Sequence, residues 1–484
     1  MTISTLADWH TAYADGVKTP RAALHTLHET LSPDDPAWIH IISGVELDAQ
    51  LDALEARLER AEGRESALPL YGVPFAVKDN IDVAGLPTTA ACPDYRYTPE
   101  RSAHVVEKLQ AAGAILLGKT NLDQFATGLV GTRSPYGAVP NAFDTTYISG
   151  GSSSGSASVV ARGLVAFSLG TDTAGSGRVP AGFNNLVGVK ATCGAISARG
   201  VLPACKSLDC VSIFALDMSD ADAVRDVLVE FDTEDAYSRR KPHDAPGAQA
   251  SATTPRLGVP TEPQFFGDDE ARAAFEAAIA RWRQTGAEIV ELDFTPFHEA
   301  AALLYQGPWV AERYAAVGEF IDANPDAAEP VVTRIITGGK NASAVDAFRA
   351  QYALAALKRL AAGAADSVPA LKPDRRSVDT GTAVKEQLRA LQNEFPDSIR
   401  SVQGVGLFLS IHFRQPGSNT PDVALADAVA QEAVRRGVLM FTTGRGYLKF
   451  TPPLCIDVNA ALEATDVIRE CLFKLCAAST GLQT

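Results

Sequence analysis

The 484-residue sequence lacks the features that would take it to a membrane or to a nucleic acid. No uncharged apolar run reaches the roughly 18 residues that a transmembrane helix needs, and the first residues, MTISTLADWH, lack the basic-then-apolar order of a signal peptide. Acidic side chains outnumber basic ones, 58 to 43, for a formal net charge of −15, and no basic stripe is present. We therefore expect a cytoplasmic protein with neither a membrane nor a nucleic-acid partner.

Metal and disulfide signals are also missing. Neither H-E-x-x-H nor a paired C-x-x-C occurs, so a metal site has no support in the sequence. The seven cysteines are an odd number and widely scattered, which fits reduced thiols better than a disulfide framework. With 46% hydrophobic residues, the chain can bury a large core and form more than one domain.

The most informative stretch that is present runs from Gly150 to Lys190 and carries two Gly/Ser clusters separated by an apolar helix-then-strand segment. Ser152 stands in the first cluster and Ser176 in the second. Glycine permits tight turns in which a serine lies close to backbone N–H groups, the setting of a nucleophile with an oxyanion hole. Flexible linkers are the alternative, but linkers rarely flank a run as apolar as SVVARGLVAFSLG. Neither cluster ends in the Gly-Lys-Ser/Thr of a phosphate-binding loop.

A second interpretation takes Ser153 as the nucleophile, because residues 151–155 satisfy the G-x-S-x-G elbow of α/β-hydrolases. That mechanism requires a catalytic histidine further along the chain. The downstream histidines His243, His298 and His412 stand in no recognisable catalytic loop. The elbow therefore stays the weaker alternative.

Lys78 is the candidate general base. It ends the apolar run YGVPFAVK and precedes a second apolar stretch, which is the context of a buried strand. Most lysines are solvated, but burial disfavours the ammonium form and yields a neutral amine that can accept a proton.

Lys78, GGSSSGS and GTDTAGSGR together resemble the amidase signature family of Ser-Ser-Lys hydrolases. The resemblance implies that Lys78 is the base, that Ser152, on a cis peptide bond, is the bridge, and that Ser176 is the nucleophile. It implies covalent catalysis without a metal or an organic cofactor. The implied oxyanion hole consists of four consecutive backbone N–H groups, those of Thr173, Ala174, Gly175 and Ser176.

Two further stretches resemble the allophanate hydrolase branch of that family, residues 191–215 and residues 305–313. The resemblance implies that Tyr305 and Arg313 recognise a substrate carboxylate, and a guanidinium fork suits that task. Gly128 is a further pocket candidate. Because the net charge of −15 attracts no anion, the attraction for an anionic substrate has to be local.

The implied function is hydrolysis of allophanate (urea-1-carboxylate), a small anionic amide, to ammonia and carbon dioxide in the breakdown of urea, biuret or cyanuric acid. A general amidase for small amides or biuret, using the same three residues, is the alternative.

Strand-like and helical patterns alternate from Leu68 to Phe214, which predicts an α/β fold with a central mixed β-sheet covered by helices on both faces. Residues 1–62 read as helices that pack on the core or on a second subunit, so a homodimer stays open. The later pattern predicts a loop from Arg239 to Pro255, strands at 256–259 and 288–294, and a helix at 268–284.

The C-terminal part follows a different pattern. The stretches 401–413, 432–440 and 444–454 look like the small domain of a class III pyridoxal-phosphate aminotransferase. Arg445 could be a leftover carboxylate contact, but without the cofactor domain a structural role is expected. The expected domains are an amidase signature domain over 1–365, with its helices at 1–62, a junction over 366–380 and an aminotransferase-like α+β tail over 381–484. Transamination is disfavoured because the cofactor lysine of such enzymes belongs to a large domain that these residues do not resemble. The usual last amidase strands are not found, so an inactive fusion protein with an incomplete sheet is a further alternative.

Overall fold

The computed structural model describes residues 5–240, 256–366, 375–405, 408–436, 438, 441–442, 446–450 and 458–479. The described residues up to 240 form one compact unit with 297–358, and residues 256–296 form a second with those from 359 onwards. The α-helices of the described residues are α1 (Leu6–Ala14), α2 (Pro20–His28), α3 (Gly44–Arg60), α4 (His104–Ala111), α5 (Ser154–Ala161), α6 (Arg178–Phe183), α7 (Met218–Leu228), α8 (Asp269–Gln284), α9 (Thr295–Gln306), α10 (Val310–Ala323), α11 (Pro330–Gly338), α12 (Ala344–Asp366), α13 (Arg375–Glu394), α14 (Val423–Arg435) and α15 (Val458–Ser479).

A six-stranded sheet forms the centre of the first unit, in the order β1-β3-β2-β4-β6-β5. Its strands are β1 (Trp38–Ile41), β2 (Pro74–Lys78), β3 (Ile115–Thr120), β4 (Phe167–Asp172), β5 (Val187–Lys190) and β6 (Cys210–Ala215). β2 runs parallel to β3 and β4, whereas β1–β3, β4–β6 and β5–β6 are antiparallel. The predicted mixed α/β sheet is confirmed.

The central strands are buried along their whole length, as near-continuous apolar runs predict. Helix α5 packs against β2, β3, β4 and β6, so the segment between the two Gly/Ser clusters crosses the core of the unit. The rings of Phe75 and Phe167 stack at 5.4 Å between neighbouring strands. Because β2 and β4 pair in parallel, their C-terminal ends, which carry Lys78 and Asp172, lie at the same edge of the sheet.

The N-terminal region is helical with one exception. Helix α3 begins at a capping box in which Ser43 and Glu46 each accept the other's backbone N–H, and its Leu47, Leu51 and Leu54 are buried as the helical spacing predicts. The prediction of helices throughout 1–62 is wrong at β1, which pairs antiparallel with β3. Four residues carry too little periodicity to show a strand, and this one is set by its partner.

The second unit contains two sheets. β7 (Arg256–Pro260) and β8 (Glu288–Leu292) lie on either side of α8 in the sequence, as predicted, and they pair in parallel. The C-terminal residues form an antiparallel sheet of β9 (Ile399–Val405), β10 (Phe408–Phe413), β11 (Phe441–Thr442) and β12 (Tyr447–Phe450). The tail is thus α+β. Its predicted boundaries at 365 and 381 stay predictions.

Several predicted features fall outside the described residues. These are His243, Arg445, most of the loop predicted from 239 to 255 and residues 367–374 of the predicted junction. Among the residues that are described, no helix combines the length and the apolar character needed to cross a bilayer.

Candidate active site

Lys78 is the last residue of β2, and its side chain is fully buried. Its Nζ donates to Ser152 Oγ at 2.7 Å and to Thr171 Oγ1 at 2.8 Å. Burial lowers the pKa of Lys78 to about 7, while the nearby Asp123, Asp209 and Asp172 oppose that shift. A substantial share of the amine is therefore neutral near neutral pH and can accept a proton.

Ser152 follows a cis peptide bond from Gly151, as the resemblance implies. Its carbonyl accepts the backbone N–H of Asp123 at 3.0 Å. A Cβ on Gly151 would lie only 2.2 Å from Asp123 Oδ2, so this position needs glycine. Close backbone packing thus holds the hydroxyl of Ser152 against Lys78.

The loop that carries Ser176 winds around the carboxylate of Asp172, the last residue of β4. Oδ1 accepts the N–H of Gly175 at 2.7 Å, and Oδ2 accepts those of Gly177 and Arg178 at 3.1 Å each. The Arg178 side chain adds two bonds, at 2.9 and 3.0 Å. Burial by itself raises the pKa of Asp172, but Arg178 and the backbone donors hold it below its ordinary value.

This arrangement revises the predicted oxyanion hole at one position. The Gly175 N–H is already donated to Asp172, so it is not available to a substrate oxygen. The N–H groups of Thr173, Ala174 and Ser176 make no hydrogen bond within the described residues. Three of the four predicted donors are thus available.

A backbone hydrogen bond joins the two Gly/Ser clusters next to Ser152. The N–H of Ser153 donates to the carbonyl of Ser176 at 3.1 Å. Ser176 is only 4% exposed, and its hydroxyl makes no hydrogen bond to the part of the chain that the structure describes. The contact between Lys78 and Ser152 is formed, whereas transfer of a proton from Ser176 to Ser152 stays a prediction.

Asp209, the residue immediately before β6, supports the same loop. It accepts the Thr173 hydroxyl at 2.5 Å and the N–H groups of Ala204 and Cys205 at 2.8 to 3.2 Å. Burial raises its pKa, although these donors act in the opposite direction. Asp209 thereby fixes the side chain of Thr173, whose N–H is the first of the three available amides.

Arg313, on α10, is 3% exposed, and in the described residues it has no carboxylate within salt-bridge distance. Among the residues that the structure describes, its Nη1 alone is bonded, to Thr127 Oγ1 at 2.9 Å and to the Ala126 carbonyl at 3.3 Å. Its guanidinium carbon lies 5.9 Å from the ring centre of Tyr305, which is 43% exposed. A buried, permanently charged group without a counter-ion is costly, so this one suits an anionic ligand.

Gly128 adjoins Thr127, the residue that binds Arg313. A Cβ on Gly128 would lie 2.6 Å from Asp123 Oδ2. Asp123 also accepts the N–H groups of Val130, Gly131 and Arg133. The place of Gly128 is thus one where a side chain would displace the carboxylate that organises this loop, and its role as a pocket residue stays a prediction.

Sequence reasoning missed Thr171, Asp123 and the structural part of Asp172. Thr171 Oγ1 accepts bonds from both Lys78 and Asn80. The available signal was the second cluster itself, GTDTAGSGR, in which Thr171 and Asp172 precede the predicted donors. No such local signal marks Asp123, because its three amide donors and Gly151 meet it only in the folded chain.

The elbow interpretation is wrong for Ser153. Its hydroxyl donates to the Thr171 carbonyl at 3.1 Å and accepts the Thr171 N–H at 3.3 Å, which ties α5 to β4. The hydroxyl of Ser153 is therefore bonded to the Thr171 backbone both as donor and as acceptor. Among the described residues, no group of three or more His, Cys, Asp or Glu is arranged to hold a metal ion.

Comparison with protein families gives two matches. The family model described as Amidase matches residues 37–364, more than half of the chain. The model described as Aminotransferase class-III matches residues 360–472. Both resemblances drawn from the sequence are confirmed.

Individual relatives agree with the first match. The urea amidolyase of Saccharomyces cerevisiae is 52% identical over 327 residues, which are 67% of this chain and 17% of the relative. The urea amidolyase of Lachancea kluyveri is 47% identical over 364 residues, 73% of this chain and 19% of the relative. A solved structure of the selenomethionine-substituted allophanate hydrolase of Kluyveromyces lactis superposes with a TM-score of 0.71 at 48% identity, covering 75% of this chain and 59% of that one. The chain thus spans less than a fifth of these urea amidolyases.

Proposed function

The chain belongs to the amidase family, and on that premise we propose that it hydrolyses allophanate through Lys78, Ser152 and Ser176. The observation that carries the choice of substrate is the buried guanidinium of Arg313, which has no carboxylate partner among the described residues and leaves Nε and Nη2 unbonded there. Two free N–H donors in a fixed fork match a carboxylate. Allophanate carries that carboxylate beside its amide.

The reaction begins with proton transfer. Neutral Lys78 takes the proton of Ser152 as Ser152 takes that of Ser176, and Ser176 Oγ attacks the amide carbon. The N–H groups of Thr173, Ala174 and Ser176 receive the negative charge that develops on the carbonyl oxygen. The same relay in reverse protonates the departing nitrogen, and the carbon–nitrogen bond breaks to release ammonia.

Water completes the cycle. Lys78 and Ser152 remove a proton from a water molecule, which attacks the acyl group on Ser176 and releases a dicarboxylated nitrogen compound. That product decays to carbon dioxide and a second ammonia. The proposal places this chemistry in urea, biuret or cyanuric acid breakdown, in line with the names of the urea amidolyase and allophanate hydrolase relatives.

The test compares allophanate with biuret, which replaces the carboxylate by a neutral amide of similar size. The full chain should release ammonia from allophanate with a kcat/KM at least about 100-fold higher, because each charge-assisted hydrogen bond contributes about 1.5–3 kcal/mol. Arg313→Met should remove that preference, mainly through KM. Arg225→Met is the matched control, since the ion pairs of Arg225 in the described part of the chain are with Asp222 and Asp226 on its own helix.

Two results would count against the proposal. Equal effects of Arg313→Met on both substrates would mean that Arg313 does not bind the carboxylate, which favours the general small-amide alternative. No ammonia from any small amide, with the chain folded, would favour the inactive fusion.

A further inference from the structure

A cluster of two cysteines and a lysine lies at the open end of the β5–β6 ladder. Lys190 ends β5 and pairs with Ser212 of β6. Just beyond them, Cys193 Sγ and Cys210 Sγ are 3.4 Å apart, and Lys190 Nζ lies 2.9 Å from Cys210 Sγ. The Leu208 carbonyl accepts from both thiols, at 3.4 and 3.7 Å. The proposed hydrolysis uses none of these three side chains.

We propose that Cys193 and Cys210 form a peroxide-reactive dithiol that closes to a disulfide beside the loop carrying Ser176. The two thiols differ in access, since Cys193 is exposed and Cys210 is 3% exposed. An oxidant therefore reacts with Cys193 first, and the buried Cys210 sulfur lies within reach of the oxidised Cys193. An exposed thiol next to a second one is the arrangement in which a first oxidation is resolved as a disulfide.

The chemistry balances with one hydroperoxide. Cys193 sulfur attacks the peroxide, the O–O bond breaks, and a sulfenic acid forms with release of one water from hydrogen peroxide. Cys210 sulfur then attacks the Cys193 sulfur, the S–O bond breaks, and a second water leaves with the Cys210 proton. Two thiols are oxidised and one peroxide is reduced.

Lys190 has its place in the second step. In the described residues it has no carboxylate within salt-bridge distance, and its ammonium lies on the Cys210 sulfur. Burial raises the pKa of Cys210 to about 11 even though Lys190 acts to lower it. The lysine thus offsets part of the cost of forming the attacking thiolate in a buried position.

Formation of the Cys193–Cys210 disulfide is coupled to the proposed active site through the residues next to Cys210. Cys210 pairs with Asp172 across β4 and β6, and its neighbour Asp209 holds the Thr173 hydroxyl. The sulfur–sulfur distance must shorten from 3.4 Å to about 2.05 Å in a disulfide. A movement of that size at Cys210 should displace the carboxylates of Asp172 and Asp209, which hold the loop of amide donors in place. We therefore expect ammonia release to fall about tenfold or more.

The first experiment counts thiols and does not depend on activity. After hydrogen peroxide treatment and denaturation, the full chain should titrate with five thiols where the untreated chain has seven, and peptide mass mapping should find Cys193 joined to Cys210. Cys193→Ser and Cys210→Ser should each abolish that disulfide. Cys476→Ser, which removes a thiol of the second unit, is the matched control and should lose the same two thiols. Seven thiols after treatment, or a disulfide between other cysteines, would overturn the proposal.

Lys190→Met separates the two chemical steps. Dimedone should trap more sulfenic acid at Cys193 in this variant than in the parent, because the resolving attack is slower. Equal trapping would overturn the role of Lys190. In the parent, the fall in ammonia release should reverse with dithiothreitol and should be absent in Cys193→Ser. An oxidised chain with unchanged activity would overturn the coupling, and a chain inactive before oxidation would instead count against the proposed hydrolysis.

Discussion

The titration of Lys78 is the sharpest quantitative consequence of the site. The base must be a neutral amine, and the pKa of Lys78 is lowered to about 7 because the side chain is fully buried. The neutral fraction is then about 0.9 at pH 8, about 0.09 at pH 6 and about 0.01 at pH 5. The kcat/KM for a neutral amide should therefore fall about tenfold from pH 8 to pH 6 and a further tenfold to pH 5.

The assay is ammonia release from a neutral amide, so that the substrate does not titrate. Lys78→Arg keeps a long cationic side chain but cannot lose its proton, and it should be inactive at every pH. Asp209 is a second buried group with a raised pKa. Because Asp209 opposes the lowering of the Lys78 pKa, Asp209→Asn should keep the acid limb but move its midpoint below pH 7, whereas loss of the acid limb would mean that Asp209 is the titrating group.

The same pKa makes a prediction about folding, which does not involve substrate. Because the pKa is lowered on folding, the unfolded chain binds more protons than the folded chain between about pH 7 and pH 10.5. The free energy of unfolding should rise with pH through that window, by about 1.4 kcal/mol per unit relative to Lys78→Met. An acid limb that is flat to pH 5, with no difference in the pH dependence of stability between the two chains, would refute a buried, titrating Lys78.

Two further predictions concern the residues around that lysine. Ser176→Ala should lower ammonia release by at least about 10⁴-fold with an unchanged melting temperature, and retained activity would reject Ser176 as nucleophile. Thr171→Val removes the hydroxyl that accepts bonds from Lys78 and Asn80, so we expect kcat to fall about 10–100-fold, the KM to stay, and the acid limb to move. Thr171→Ser should restore both kcat and the midpoint, whereas a purely structural effect would change stability and leave the pH profile in place.

The parts of the site that could be predicted from the sequence are those encoded by short runs of residues. Ser152, Ser176 and the amide donors lie in two Gly/Ser clusters, and the glycines there have steric reasons to be glycines, such as the 2.2 Å approach of Asp123 Oδ2 to a Cβ on Gly151. Lys78 can be predicted because apolar runs precede and follow it in the sequence. The tail's α+β character likewise followed from local patterns and its resemblance.

What the sequence did not show depends on partners far away along the chain. β1 exists because β3 pairs with it. Thr127 binds Arg313 across 186 residues. Each of these is a hydrogen bond between segments whose approach is decided by the whole core, so no spacing rule reveals it.

The two buried cationic side chains of the site differ in whether they can lose a proton, and this difference links substrate binding to proton transfer. Lys78 can lose its charge, whereas Arg313 cannot, and the charge of Arg313 helps to lower the pKa of Lys78. A carboxylate bound to Arg313 would cancel that repulsion and so raise the pKa of Lys78 in the complex. The pKa seen in kcat, which reports the complex, should therefore exceed that in kcat/KM by about half a unit or more for allophanate. For biuret the two values should coincide. If the pKa in kcat equals that in kcat/KM for allophanate as well as for biuret, the carboxylate binds too far from Lys78 to affect its pKa. Binding of the carboxylate and hydrolysis of the amide would then be independent of each other.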